Sequence, residues 1–258
     1  GTGTASGSGV AGFAAAAPYG LNREQWAAVT ADGPATIVVA GPGTGKTRTL
    51  VSRIAYLVEN CGVPPAQVTA VTFTNKAADE MRLRLESHFR NKRIVKAMTI
   101  GTFHAICLQI LSAKNGRHSP VIIDEYQALS IIEEILRERN LKLPAREILR
   151  KISLQKNSAR SPEDQRTTGN KADEIFNLYC SRLEQYGALD YDDILIKTLD
   201  LFEQKRVPER VSQSFRYLLV DEFQDINGIQ YRLINEWGRN SNNIFIIGDP
   251  DQSIYGFR

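Results

Sequence analysis

The hydrophobic pattern of the 258-residue chain switches between two periods, and each switch marks an element. Residues 35–40 (Ala-Thr-Ile-Val-Val-Ala) form a short apolar, β-branched run that reads as a strand. Gly41-Pro42-Gly43-Thr44-Gly45 follows at once, and then Leu50, Ile54, Leu57 and Val58 recur at helical spacing within 46–59. Strand, glycine loop and helix are therefore predicted in immediate succession. The alternation returns as a strand over 68–73, a helix over 76–89, a strand over 97–100 and a helix over 103–111. Such alternation predicts a parallel sheet with covering helices. From 124 to about 186 the strand pattern is lost and helical spacing takes over, most clearly at Leu129, Ile132, Ile135 and Leu136. Apolar runs at 217–220 and 244–247, each leading into acidic residues, bring the sheet back. The pattern predicts an α/β fold interrupted by an all-helical insertion, with no internal repeat.

Composition narrows the class without naming a partner. A hydrophobic share of 42% with 24% charged residues suffices for a sizeable core and excludes a disordered chain. The formal net charge of +3 neither demands nor forbids a polyanion. Local charge is less even. Residues 137–171 carry ten basic side chains against four acidic ones, and 82–96 carry six against one. Each cluster suits either a solvated helical face or a surface for a phosphate backbone. No apolar run reaches the length of a membrane span, so no membrane partner is expected. Cys61, Cys107 and Cys180 form no CxxC pair, and with three histidines they point to a reducing, cytoplasmic setting without a thiolate metal site. Residues 1–22 hold no charge and are mostly Gly, Ala, Ser and Thr, so 1–20 reads as a flexible linker or a remnant of cloning.

Two stretches carry chemistry. In Ala40-Gly41-Pro42-Gly43-Thr44-Gly45-Lys46-Thr47-Arg48, glycines let backbone amides converge on phosphate oxygens at a helix N-terminus. Lys46, read as a solvent-facing charge, would reach the β and γ phosphates and the Thr47 hydroxyl would ligate magnesium. The strict pattern places glycine where Ala40 stands. The apolar run 217–220 ends in Asp221-Glu222, which delivers two acids to the edge where α/β sheets bind ligands. Asp221 would hold the metal ion, and Glu222 would be the general base for the attacking water. Together they predict a site for ATP with Mg2+. Phe73, Phe103, Tyr255 and Phe257 sit at or just beyond strand ends, where rings can stack unpaired bases without reading sequence. Thr74, Asn75 and Lys76 open a helix and suit phosphate contacts. A core position for Phe73, and a neutral hydrogen-bonding role for His104, fit these residues equally well.

Motifs in fixed order supply a family. Thr72-Phe73-Thr74-Asn75-Lys76-Ala77-Ala78, Gly101-Thr102-Phe103-His104, Asp221-Glu222-Phe223-Gln224-Asp225 and 248–258 (Gly-Asp-Pro-Asp-Gln-Ser-Ile-Tyr-Gly-Phe-Arg) resemble superfamily 1 DNA helicases of the UvrD/Rep/PcrA type. The resemblance runs from Leu21 to Arg258, and that family also has alanine at the position of Ala40. Leu21-Asn22 with Gln25 resembles its adenine-reading motif, a task that suits an amide bearing both donor and acceptor.

The resemblance implies a RecA-like P-loop NTPase sheet with helices on both faces over 21–108 and 187–258, with a helical subdomain inserted over 109–186. It implies Gln25 and 40–48 as ATP-binding residues. Lys46, Asp221, Glu222 and Gln252 would be catalytic, Gln252 by touching the γ-phosphate, and Asp225 would support the same network. Phe73, Thr74, Asn75, Lys76, Thr102, Phe103, His104, Tyr255, Phe257 and Arg258 would touch single-stranded DNA or its junction with duplex. The implied activity is ATP hydrolysis coupled to 3′–5′ translocation and unwinding. A second motor domain of the same polypeptide would supply the arginines that speed hydrolysis, so this chain alone is expected to turn over slowly. The motor part of a helicase-nuclease shares these motifs. A nucleotide-gated DNA-binding module without turnover is the alternative of a different class, whereas a small-molecule kinase would have no use for the aromatic-rich end.

Overall fold

The computed structural model describes residues 18–114, 120–158, 171–249 and 251. A 3-10 turn at Pro18–Gly20 leads into α1 (Arg23–Thr30), which opens with a reciprocal capping box between Asn22 and Gln25. β1 (Ala35–Val39), α2 (Lys46–Glu59), β2 (Val68–Thr72), α3 (Asn75–Phe89), α4 (Lys92–Ala97), β3 (Thr99–Thr102) and α5 (Phe103–Lys114) follow. Then come β4 (Val121–Ile122), α6 (Glu125–Glu138), α7 (Ala145–Ser158), α8 (Lys171–Gln185) and β5 (Ala188–Leu189). The described order closes with α9 (Tyr191–Glu203), α10 (Glu209–Ser214), β6 (Tyr217–Val220), α11 (Gly228–Gly238) and β7 (Asn243–Gly248).

The main sheet has the order β1-β7-β6-β2-β3 and every pairing is parallel. Alternating residues of the strands feed two cores. Val71, Leu218 and Val220 pack against α5, α9 and α11 on one face. Val68, Ala70, Leu219, Phe245 and Ile247 pack against α2, α3 and α4 on the other. This is the RecA-like α/β arrangement, and it explains why β2 and β6 read as continuous apolar runs, since inner strands of a parallel sheet are buried on both faces, whereas β1 at the sheet edge leaves Ile37 and Val39 exposed. Parallel register also sends all five strand ends to one edge. The glycine loop, Phe73, Phe103, Asp221 and Asp249 therefore leave the sheet side by side, where open α/β sheets bind ligands.

Helices α6, α7 and α8 bury a separate apolar cluster around Ile132, Ile135, Ile175 and Tyr179. Its root is a two-residue parallel ladder, Val121↔Ala188 and Ile122↔Leu189, extended by the Ile123 amide donating to the Leu189 carbonyl at 2.9 Å.

Several boundaries differ from the sequence reading. The strand expected at 97–100 begins at Thr99, because Arg90 in the left-handed region ends α3 and Asn91 caps the short α4, its side chain accepting from the Arg93 amide. Helix α5 runs to Lys114, with Ile110 and Leu111 in the sheet-side core rather than with the helical cluster expected from 109. Pro18–Gly20, expected within a linker, is a turn fastened to α2. The remainder of the expected linker, 1–17, lies outside the described residues.

Candidate active site

The glycine loop takes the shape its composition demands. Gly43 (φ 72) and Gly45 (φ 86) lie in the left-handed region, where any side chain would add strain. Gly45 caps α2, so the first-turn amides of that helix, which lack intrahelical partners, open onto the loop. Thr44 Oγ1 donates to the Gly41 carbonyl at 2.7 Å, and the Ala40 amide donates to the Gly248 carbonyl at 3.0 Å, fastening the loop to β7. Gln25 braces it from outside: Nε2 donates to the Thr44 carbonyl at 2.7 Å while Oε1 accepts from the Asn22 amide at 2.9 Å. One amide hydrogen and one lone pair of Gln25 are left for a ligand.

Lys46 is not the solvent-facing charge read from the sequence. Its side chain is only 11% exposed and Nζ lies 3.2 Å from Glu222 Oε2. The β6 end drives this: the Asp221 amide donates to the Val71 carbonyl at 2.9 Å, one residue past the strand, and turns the two acids toward α2. Glu222 sits at φ 48, an uncommon conformation for a residue with a Cβ, and its amide donates to Asp221 Oδ1 at 3.0 Å. Asp221 is 7% exposed. Burial, and then the Glu222 charge, push its carboxyl up to about 6. A cation beside it would reverse that shift.

Gln224 ties the acids to the next strand. Its Nε2 donates to Glu222 Oε2 at 2.8 Å and its Oε1 accepts from the Asp249 amide at 2.9 Å. A Cβ on Gly248 would lie 2.6 Å from Gln224 Oε1 and 3.3 Å from the Phe223 nitrogen, so glycine is required there for the approach. Asp225 Oδ1 is buried without a hydrogen-bond partner, and burial with the nearby Glu222 raises its pKa.

Among the described residues no group of three or more His, Cys, Asp or Glu is gathered for a metal ion. Magnesium does not need one, since it binds through one or two protein oxygens, substrate phosphates and water. The buried Asp221 and half-buried Thr47 fit that donor set.

On the same sheet edge, Thr74, Asn75 and Lys76 are exposed at the start of α3, with Thr74 Oγ1 accepting from the Ala77 amide at 3.1 Å. Thr102 is half-buried and accepts from the Ala105 amide at 3.3 Å, and Phe73 is half-buried too. Phe103 corrects its expected role. It is 3% exposed and stacks on Trp237 at 5.8 Å and 18°, so its ring serves the core rather than a base. His104 stacks on Tyr191 at 4.0 Å and 25°, and burial lowers its pKa, keeping the imidazole neutral. Tyr191 is 61% exposed. Gln252, Tyr255, Phe257 and Arg258 lie outside the described residues.

A sequence model described as the UvrD/REP helicase N-terminal domain matches residues 21–258. The chain belongs to this family. It is 40% identical over 255 residues to the ATP-dependent DNA helicase PcrA of Bacillus subtilis (strain 168), covering 93% of this chain and 34% of that protein. It is 37% identical to the PcrA proteins of Staphylococcus epidermidis (strain ATCC 12228), with 92% and 34% covered, and of Leuconostoc citreum, with 93% and 34% covered. The chain thus spans about a third of the length of these relatives.

For this member of the UvrD/REP family, sequence reasoning missed three features. Gln224 was quoted inside a motif, but only the fold shows its amide joining two strands. Tyr191 follows a strand of two residues, too short for periodicity to reveal. Lys156, counted in the basic cluster, is 5% exposed and bonds Asp190 Oδ2 and Asp193 Oδ1, each at 2.7 Å. Arg139, from the same cluster, pairs with Glu174 at 3.1 Å. The Lys156 charge is spent inside the protein, and that of Arg139 is paired at the surface.

Proposed function

We propose that this chain is the ATP-binding half of a DNA-translocating motor. The observation that carries the reading is the shared sheet edge: the Lys46–Glu222 pair and buried Asp221 lie in line with the exposed start of α3 and the His104–Tyr191 pair. The loop amides and Lys46 would bind the triphosphate of ATP, and Thr47 with Asp221 would hold magnesium. The metal ion supplies positive charge at the phosphates when bound. Lys46 and Glu222 neutralise each other until a phosphate takes the lysine, which frees the carboxylate to accept a proton from water. Gln224 keeps that carboxylate in place through its 2.8 Å bond.

Thr74, Asn75, Lys76, Thr102, His104 and Tyr191 form the face for single-stranded DNA. Exposed donors at a helix start suit phosphates, and the open ring of Tyr191 suits any base. Phe73, half-buried at the strand end, and Tyr255, Phe257 and Arg258 extend that face in the reading from family resemblance, as do Gln252 at the γ-phosphate and 3′–5′ polarity. Arginines from the rest of a longer polypeptide would complete the transition-state charge, worth on the order of 10³ to 10⁵ in rate.

The test is phosphate release and Mg·ATP binding by this chain with and without oligo(dT). The reading expects saturable Mg·ATP binding and hydrolysis at least about 10³-fold slower than a two-half motor. No Mg·ATP binding would contradict the nucleotide site. Rapid release stimulated by oligo(dT) and abolished in Glu222→Gln would contradict the half-motor reading.

A further inference from the structure

The basic stretch at 82–96 serves neither the nucleotide site nor the proposed DNA face, and the fold gathers part of it around a free strand edge. β3 ends the sheet order, so among the described residues its outer side has no strand beside it. Helix α3 flanks that edge on one face of the sheet and α5 on the other, while α4 leads directly into the strand. Between them opens a cavity of about 240 Å³ whose lining includes Arg82, Glu86, Lys96, Thr99, Ile100 and Gln109.

An open strand edge is a template for pairing, and proteins commonly blunt it with a charged side chain. Arg82 does so here: its guanidinium donates to the Ile100 carbonyl and, at 2.6 Å, to Asp79 Oδ1. The backbone acceptor is thus met by a side chain that an incoming amide can replace, since Asp79 would retain the arginine.

Charge decides what fits. Arg84 pairs with Glu80 at 2.5 Å and Lys92 lies 3.8 Å from Glu86. Among the described residues Arg90, Arg93 and Lys96 have no ion-pair partner, and all three are exposed. A strand laid along β3 would point alternate side chains to opposite faces. One set would meet α3 and α4, with Arg82 and Lys96, and the other would meet α5, with the Gln109 amide. A nucleic-acid backbone fits less well. The cleft carries Glu86 in its wall and opens at the start of β3, about 10 Å along the strand from Thr102 of the proposed DNA face.

We propose that the outer edge of β3 docks an extended acidic protein segment, which adds as a further strand and sets carboxylates at every second position against Arg82 and Lys96.

The test titrates this chain with a short synthetic peptide in which glutamate alternates with threonine, and with a peptide of the same composition whose glutamates are grouped at one end. Their charge is equal, but only the alternating peptide presents all its acids to one side when paired. It should bind at least about fivefold tighter and slow amide hydrogen exchange over Thr99–Thr102. Lys96→Glu, a change at an exposed position, should weaken it about three- to tenfold, and Glu86→Gln should strengthen it about twofold. Oligo(dT) should not displace the peptide. Equal affinity for the two peptides, unchanged exchange at β3, or no binding of either peptide would overturn the proposal. Displacement by oligo(dT), with oligo(dT) itself bound more weakly by Lys96→Glu, would overturn it by giving the cluster to a phosphate backbone.

Discussion

Two lysines in this chain are each flanked by a pair of carboxylates, and they do opposite things. Lys156 on α7 meets Asp190 and Asp193 at 2.7 Å each, and Tyr179 donates to the same Asp190 oxygen at 3.0 Å. Burial alone would lower the pKa of this lysine, but the two acids hold it above the ordinary range. Asp190 and Asp193 also form the capping box of α9, so the cluster is saturated and fastens the helical insertion to the chain returning to the sheet. Lys46 has one partner, at 3.2 Å, held on a left-handed backbone, beside an aspartate whose carboxyl is pushed to about 6. The first cluster is complete without a ligand. The second is short of positive charge, and that deficit is what a metal ion and a nucleotide would relieve. Similar ingredients therefore mark stability where every group is satisfied and function where one is not.

The comparison breaks most visibly if the lysine of the saturated cluster is removed. Lys156→Met leaves Asp190 and Asp193 facing each other in a dry site and should cost about 3–5 kcal/mol in urea unfolding. A loss below about 1 kcal/mol would place the cluster with solvated surface pairs. Next in size is Asp221→Asn in magnesium-free buffer. The folded carboxyl at about 6 lies above its ordinary 3.8, so the native state holds this proton more tightly. Stability is thus lost as pH rises from about 4 through 6 and stays reduced above, by about 2–3 kcal/mol. The amide should restore that much at pH 7.5, gain nothing at pH 3.5, and weaken Mg·ATP binding. A pH-independent effect on unfolding would show that Asp221 is solvated.

On the nucleic-acid side, Tyr191→Ala should weaken oligo(dT) binding by about 1–3 kcal/mol with the salt slope unchanged, because a ring neutralises no phosphate. A changed slope with unaltered affinity at low salt would remove Tyr191 from the interface.

The sequence reading succeeded where chemistry dictates geometry. The left-handed backbone before α2 is legible because glycines stand at 43 and 45, and the place of Asp221 because an apolar strand ending in acids delivers them to one edge of a parallel sheet. It failed where two environments share one pattern. Phe103 at a strand end reads the same whether it meets a base or Trp237, and only packing decides. Lys156 adds to a charge count whether it faces water or Asp190, so the basic stretch at 137–171 reads as more available than it is. The six residues of α4 are too few for a periodic stripe, and the turn at Pro18–Gly20 rests on a left-handed Tyr19 that composition does not encode.

The smallest expected effect on stability belongs to the most informative variant. Lys46→Ala breaks one partly exposed ion pair and should change unfolding free energy by less than about 1 kcal/mol. Melting of this variant and of the unsubstituted chain, each with and without saturating Mg·ATP, tests the central claim directly. The account predicts similar melting temperatures without ligand and a Mg·ATP-dependent rise that Lys46→Ala abolishes. An equal rise in both proteins would contradict it, because the unsatisfied cluster at the sheet edge would then not be where the nucleotide binds.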